Sequence, residues 1–244
     1  MPRPLSAGDI RGWEWPGPPP GALLMHGIGN YGRYWDLFAE AVAAALRLVA
    51  PHARGHGDSP KPPTGYAPDD FVRDAVAVMD ATALVRPIVV GHSMGGFHAA
   101  ALTLAQPDRV RALVLVDVGS RVEQAGMSRA RRLSMGRPDR FPDGESALAY
   151  LHQTSPGYSD AVYENRMAWV FRRDDRGGLV WRSSKDALAK ILCNFILFCL
   201  CFFKVYKFSY ILYPVDDIFN VIFRIQNGFI QRTPVPFFKR PVRS

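Results

Sequence analysis

From residue 21 onward, short apolar runs alternate with longer amphipathic stretches, the pattern of a parallel sheet whose strands are separated by helices on its faces. Gly21 to Met25 reads as a strand that enters the turn His26-Gly27-Ile28-Gly29-Asn30, residues 34–46 read as a helix, and Arg47 to Pro51 reads as the next strand. A Gly- and Pro-rich loop fills 53–68, after which Asp69 or Asp70 is suited to cap a helix reaching Thr82, because a carboxylate there accepts free amide protons of the first turn. Pro87 to Val90 predicts a strand, Met94 to Ala105 a helix, and Ala112 to Val116 another strand. Between about 120 and 181 the periodicity turns helical and the strands stop, as expected of a helical insertion over the carboxyl edge of the sheet.

The vocabulary of the chain changes near Ile191. The final 54 residues contain no Ala and no His, yet hold ten of the fifteen Phe and all three Cys, whereas the preceding chain is rich in Ala, Arg and Gly. We therefore divide the sequence into an α/β unit over 1–190, with its insertion at 120–181, and an atypical apolar tail over 191–244. The apolar run from Ile191 to Phe203 is broken only by Asn194 and falls short of the roughly 20 residues a membrane span needs, so a buried segment is the preferred reading over an anchor.

At 244 residues the chain can bury one sizeable core, and 48% apolar with 21% charged residues is ordinary for a globular domain. The net charge of +8 raises the question of a nucleic-acid partner. Its one dense run, Arg129, Arg131, Arg132, Arg137 and Arg140, lacks interleaved aromatic residues and reads as a solvated helix face, so no nucleic-acid partner is expected. Cys193, Cys199 and Cys201 have neither paired spacing nor a His partner, which argues against a zinc site or a disulfide framework. Neither a metal nor a cofactor is expected. With no apolar secretory segment at the amino terminus, the expected location is the cytoplasm.

The chemistry concentrates at Gly91-His92-Ser93-Met94-Gly95-Gly96, between a predicted strand and a predicted helix. A G-x-S-x-G sequence in that context places its serine on a strained turn, with flanking glycines removing side chains that would collide. Ser93 is the candidate nucleophile. The helix it opens offers amide donors and a positive dipole end to a developing oxyanion. His26-Gly27-Ile28-Gly29 ends an earlier strand, and the backbone amides of Ile28 and Met94 are the candidate pair of oxyanion donors. His26, Gly27, His92 and Trp169 are the candidate substrate contacts, with His26 expected to be a structural hydrogen bonder rather than a base.

HGIGN followed by Tyr34-Trp35, ARGHGDS at 53–59, GHSMGG, and LVLVDVGS at 113–120 together make Gly21 to Asp117 resemble the α/β-hydrolase fold superfamily, of the small esterase, lactonase and C–C hydrolase type. The resemblance implies an α/β fold with a mostly parallel sheet, helices on both faces and a helical cap at 120–181 that encloses the acyl or leaving group. It implies a loop-shaping role for His56. His52 stands where the family usually has an Asp. A serine at the elbow also sets the chain apart from epoxide hydrolases and dehalogenases of this fold, which place an aspartate there, and leaves ester-type acyl transfer on a small-molecule substrate.

A serine hydroxyl needs an imidazole to take its proton and a carboxylate to orient that imidazole. The resemblance places the acid and then the histidine in the last quarter of the chain, but the histidines are His26, His52, His56, His92, His98 and His152. The family pattern stops at about Ile191, so the fold's last strands are expected to be lost or replaced. Asp117 is the best available carboxylate, Asp216 and Asp217 are weaker alternatives, and no histidine is identifiable as the base; His98 is expected to face away and His152 to sit in the cap. Three readings stay open: a serine hydrolase impaired by the missing histidine, with a frameshifted, read-through or chimeric junction near codon 191 as its origin; an inactive relative that binds a small acyl-type ligand; and a form tethered to a membrane by residues 188–213.

Overall fold

The computed structural model describes residues 1–118, 124–194, 221–226 and 229–232. Two strands precede the first one expected: β1 (Arg3–Ala7) and β2 (Ile10–Trp15) form an antiparallel hairpin across Gly8-Asp9, with Ala7 opposite Ile10. Gly8 takes φ +57, the left-handed geometry such a two-residue turn demands. Next come β3 (Gly21–Met25), a 3-10 turn (Gly32–Trp35), α1 (Asp36–Val42) and β4 (Arg47–Pro51). The helix expected over 34–46 is thus tightened at its start and shorter at its end.

Helix α2 spans Pro68–Ala81 and corrects the expected cap: its N-cap is Ala67, and Asp70 in the first turn accepts the Ala67 backbone N–H at 2.8 Å. Strand β5 (Ile88–His92), α3 (Met94–Ala105) and β6 (Ala112–Val116) complete the repeat. The chain then forms α4 (Gln124–Met135), β7 (Arg140–Phe141), α5 (Gly144–Thr154), α6 (Asp160–Val170), β8 (Phe171–Arg173) and β9 (Leu179–Trp181), followed by α7 (185–194). The insertion is not wholly helical as expected, because β7, β9 and β8 pair into a small antiparallel sheet. From the tail come β10 (Val221–Gln226) and β11 (Phe229–Arg232).

The main sheet has the order β1-β2-β4-β3-β5-β6-β10-β11. It is parallel across β4, β3, β5 and β6, where the site is built, and antiparallel at both flanks. Beyond β6, strands of the compositionally distinct tail occupy the edge, with Val221 opposite Leu115 and Phe223 opposite Leu113.

Side-chain alternation along each central strand sorts the core into two layers. Leu23, Val49, Val89 and Leu113 pack with Val72, Val78, Met79, Ala99 and Leu102 under α2 and α3. Their neighbours Ala22, Leu24, Leu48, Ala50 and Val90 pack with Trp15, Trp35 and Ala39 on the opposite face. A third cluster holds the insertion together around Phe141, Leu151, Tyr163 and Phe171 and takes in Tyr31 from the loop after β3. Tyr31 donates its hydroxyl proton to Asn165 Oδ1 at 2.6 Å, and Arg182 pairs with Asp58 at 2.7 Å. The insertion therefore rests on the loops at the carboxyl ends of β3 and β4. Of the arginine run read as a solvated face, Arg129, Arg131, Arg132 and Arg140 are exposed, but Arg137 is only 5% exposed, which corrects that reading.

Candidate active site at the end of β5

Ser93 joins β5 to α3 with φ 50 and ψ −118, a backbone geometry that a non-glycine residue adopts only when its surroundings impose it. Its amide donates to the Val116 carbonyl at 2.9 Å, and its own carbonyl accepts from Gly96 N–H at 2.9 Å. The glycines on either side make this turn possible. A Cβ on Gly91 would lie 2.5 Å from the Gly95 carbonyl oxygen, and one on Gly95 would overlap the Met25 carbonyl at the end of β3. That close approach of α3 to β3 brings Met94 and Ile28 into one apolar cluster with Tyr66, Phe71 and Leu188.

Beneath this turn, three buried imidazoles lace the loop after β3 to the loop after β4. Ala53 N–H donates to His26 Nε2 at 3.0 Å, Gly32 N–H to His52 Nδ1 at 3.0 Å, and Gly29 N–H to His56 Nε2 at 2.9 Å. Each bond needs an unprotonated acceptor nitrogen. Burial supplies that condition: it pushes His52 and His56 down to about 4 and holds His26 well below the usual imidazole range. His26 also contacts the Gly27 carbonyl through Nδ1 at 2.8 Å, so both of its ring nitrogens are committed to backbone. The sequence reading names His26 both as a substrate contact and as a structural hydrogen bonder; His56 is likewise set against backbone on both sides, with its Nδ1 3.1 Å from the Arg54 carbonyl.

His92 and Asp117 occupy the other side of Ser93. The His92 ring stacks on Tyr34 with centroids 5.2 Å apart and planes 15° apart, and its Nε2 is 3.8 Å from Asp117 Oδ2. Its Nδ1 is buried without a hydrogen-bond partner. Asp117 sits at the end of β6 with φ 53 and an 85% exposed side chain, and the His92 contact holds its carboxyl below the usual range. Gly27 faces the same ring, since a Cβ there would come within 2.8 Å of His92 Nδ1.

The remaining candidates lie apart. His98 is buried on α3, stacked on Phe71 at 3.9 Å, and burial pushes it down to about 3. It lines a cavity of about 30 Å³ with His26, Met25, Asp74 and Val78. His152 is exposed on α5, beside Tyr163. Trp169 packs edge-on against Trp13 at 5.0 Å, with the Arg33 guanidinium 4.5 Å from its ring centre, which staples α6 to the amino-terminal hairpin. Among the described residues, no hydrogen bond links the Ser93 hydroxyl to a histidine, and no group of three or more His, Cys, Asp or Glu is placed to hold a metal. Asp216, Asp217, Cys199 and Cys201 lie outside the described residues, as does most of 188–213, while Cys193 is an exposed free thiol. No helix of the described residues is long and apolar enough to cross a membrane.

A family model for the alpha/beta hydrolase fold matches residues 23–184, two thirds of the chain, including the turn at Ser93 and the insertion. The chain belongs to the α/β-hydrolase fold family. Among curated relatives of this hydrolase-fold chain is 2-(acetamidomethylene)succinate hydrolase of Mesorhizobium japonicum, 28% identical over 168 residues that cover 69% of this chain and 60% of the relative. The crystal structure of E-2-(acetamidomethylene)succinate hydrolase superposes with a TM-score of 0.71 and 26% identity, covering 80% of this chain and 72% of the other. The Mycobacterium tuberculosis esterase Rv0045c gives a TM-score of 0.65 at 26% identity, with 77% and 66% covered. The matches to the first curated relatives span between 38% and 60% of those proteins' lengths.

The sequence reading missed Tyr158 and Arg166, the groups of the insertion whose influence reaches the Tyr34 hydroxyl. Nothing in their spacing separates them from surface residues of an amphipathic helix; only their placement in the fold does.

Proposed function

We propose that this chain is built for serine-dependent hydrolysis of an ester or related acyl bond in a small molecule, with Ser93 as the nucleophile. The observation that carries the reading is the strained backbone of Ser93 at the start of α3, kept there by glycines whose Cβ atoms would strike the Gly95 and Met25 backbone. Such strain persists only where the surrounding structure over-determines it. In the proposed reaction the Ser93 hydroxyl oxygen attacks the carbonyl carbon, and the amides of Ile28 and Met94 donate to the oxygen that becomes negative. The joint packing of those two residues supports their convergence. Collapse of the tetrahedral species breaks the bond to the leaving group, which takes up through solvent the proton that Ser93 releases; water then adds to the acyl-serine, giving a free carboxylic acid and returning a proton to the Ser93 oxygen.

The proton on the Ser93 hydroxyl is the weak point. His26, His52 and His56 spend acceptor nitrogens on backbone amides, His98 is buried against Phe71, His152 is exposed on α5, and His92 lies between Tyr34 and Asp117 with no hydrogen bond to the Ser93 hydroxyl. Turnover is therefore expected to be far below that of a complete triad, at the level that oxyanion donors and binding alone sustain, roughly 10³- to 10⁴-fold over water. Hydrolase-named relatives, among them an esterase and 2-(acetamidomethylene)succinate hydrolase, support the reaction class. Hydrolysis of p-nitrophenyl butyrate by the purified chain and by Ser93→Ala tests it: slow release lost in the variant supports the proposal, and equal release by both refutes it. An inactive ligand-binding protein is the second reading, favoured by the lack of a hydrogen bond between the Ser93 hydroxyl and any described histidine; it predicts equal, background rates for both proteins.

A further inference from the structure

The insertion carries two arginines that form no ion pair with a described residue, although the Asp139 charge is felt at Arg137. Arg140 pairs with Asp174 and Arg182 with Asp58, as surface guanidinium groups ordinarily do. Arg137 is buried, donating from Nη1 to Ser183 Oγ at 2.8 Å and from Nη2 to the Ser183 carbonyl at 2.7 Å, with Trp181 4.5 Å below its plane; its Nε has no partner. Arg166, half-buried on α6, forms no hydrogen bond or ion pair with any described residue, and its Nε is buried as well. Removing a guanidinium from water without a counter-charge is unfavourable, so Arg166, with neither an ion pair nor a hydrogen bond among the described residues, is the group that an anion would complete.

Their position relates them to Ser93. Asn165, the residue before Arg166, donates to Asp36 Oδ2 at 2.8 Å and to the Arg33 carbonyl at 3.2 Å, which clamps α6 onto the 3-10 turn bearing Tyr34. Tyr34 in turn stacks on His92, immediately before Ser93. The Arg166 charge is felt at the hydroxyls of Tyr34, Tyr31 and Tyr150, and the Arg137 charge at Tyr150 as well, so both cations reach one phenol. The hydroxyls of Tyr34, Tyr150 and Tyr158 have no hydrogen bond with a described residue, and Arg166 lies 5.9 Å from the Tyr158 ring centre. The carboxylate on this side, Asp117, is engaged with His92 at 3.8 Å.

From this convergence of unpaired donors we infer that the acyl site accepts a substrate carrying a carboxylate, held by Arg166 together with the Tyr34 hydroxyl. The planar fork of a guanidinium matches the two oxygens of a carboxylate, and charge-assisted hydrogen bonds of this kind are stronger than neutral ones. This substrate class rests on the reading of Ser93 as the acyl-transfer centre, but its test does not need turnover.

Isothermal titration with monomethyl succinate and with dimethyl succinate separates a carboxylate-bearing ligand from its neutral counterpart. The wild type and Ser93→Ala are expected to bind the anion at least about tenfold more tightly than the diester, and Arg166→Gln is expected to bind the two within about twofold. Tyr34→Phe, which keeps the ring stacked on His92, is expected to lower the preference about threefold and serves if Arg166→Gln does not fold. Equal affinities in the wild type, no binding of the anion at millimolar concentration, or methyl phosphate binding as tightly as monomethyl succinate would each overturn the assignment. Loss of the preference with Ser93 chemistry intact would refute this substrate class alone, whereas a preserved preference with no Ser93-dependent hydrolysis would refute the proposed reaction alone.

Discussion

The loops under Ser93 and the insertion beside it treat buried polar side chains in opposite ways. Under the serine, His26, His52 and His56 are kept neutral, and each accepts a hydrogen bond from a backbone N–H of a facing loop. In the insertion, Arg137 and Arg166 keep their charge and leave Nε without a partner. A saturated polar network fixes geometry, because every group lost leaves its partner buried and unpaired. An unsaturated one retains capacity for a ligand. The contrast fits an architectural role for the β3 and β4 loops and the recognition role proposed for the insertion.

Acid should break the first region well before the second. His52 and His56 are folded at about 4 and take an ordinary value near 6.5 when unfolded, so the unfolded chain binds more protons between those limits. Their contribution is complete above pH 6.5 and is lost as the pH falls toward 4, about 3 kcal/mol for each histidine. Chemical denaturation across that range should show stability falling with pH, with the slope reduced in His52→Gln; a flat profile would mean that the lacing is not there.

A steric version of the same test is Gly95→Ala. Its added methyl group meets the Met25 backbone, which cannot step aside as a flexible side chain would, and a loss of about 3 kcal/mol is expected in thermal or urea unfolding. A loss below 1 kcal/mol would show that α3 does not approach β3 as described. Smaller again is Asn165→Ala, which frees the Tyr31 hydroxyl and Asp36 and is expected to cost about 2 kcal/mol. Its signature is faster amide exchange in α5 and α6 with β3 and β5 unchanged, and uniform change across both regions would erase the distinction between them. Least affected should be Arg109→Ala, which removes an exposed pair with Asp80 and is expected to shift stability by less than about 0.5 kcal/mol.

Much of the central sheet could be read from the amino-acid pattern, because buried parallel strands are continuous apolar runs. Gly21–Met25, Arg47–Pro51 and Ala112–Val116 have the expected limits, as does the helix Met94–Ala105. The amino-terminal hairpin was hidden by Glu14, a charge at an inward position. Its carboxylate accepts from Arg3 at 3.0 Å and Arg47 at 2.7 Å, so tertiary pairing permits what periodicity forbids. The signal that could have revealed it is Gly8-Asp9 between two short strands. Strands of two or three residues, such as β7 and β8, carry no periodicity to read. At the site, the turn around Ser93 was legible because its glycines answer a local backbone demand. The role of His52 and the partner of His26, which was expected only as a structural hydrogen bonder, were not, since each is defined by an amide 20 or more residues away.

The central claim is that Ser93 is the positioned nucleophile, and intact-mass analysis after prolonged incubation with a fluorophosphonate tests it most directly. The account predicts slow addition of one phosphonyl group to the wild-type chain, located on Ser93 and absent from a folded Ser93→Ala variant. An unlabelled wild type, or an adduct that persists in the variant, would contradict it.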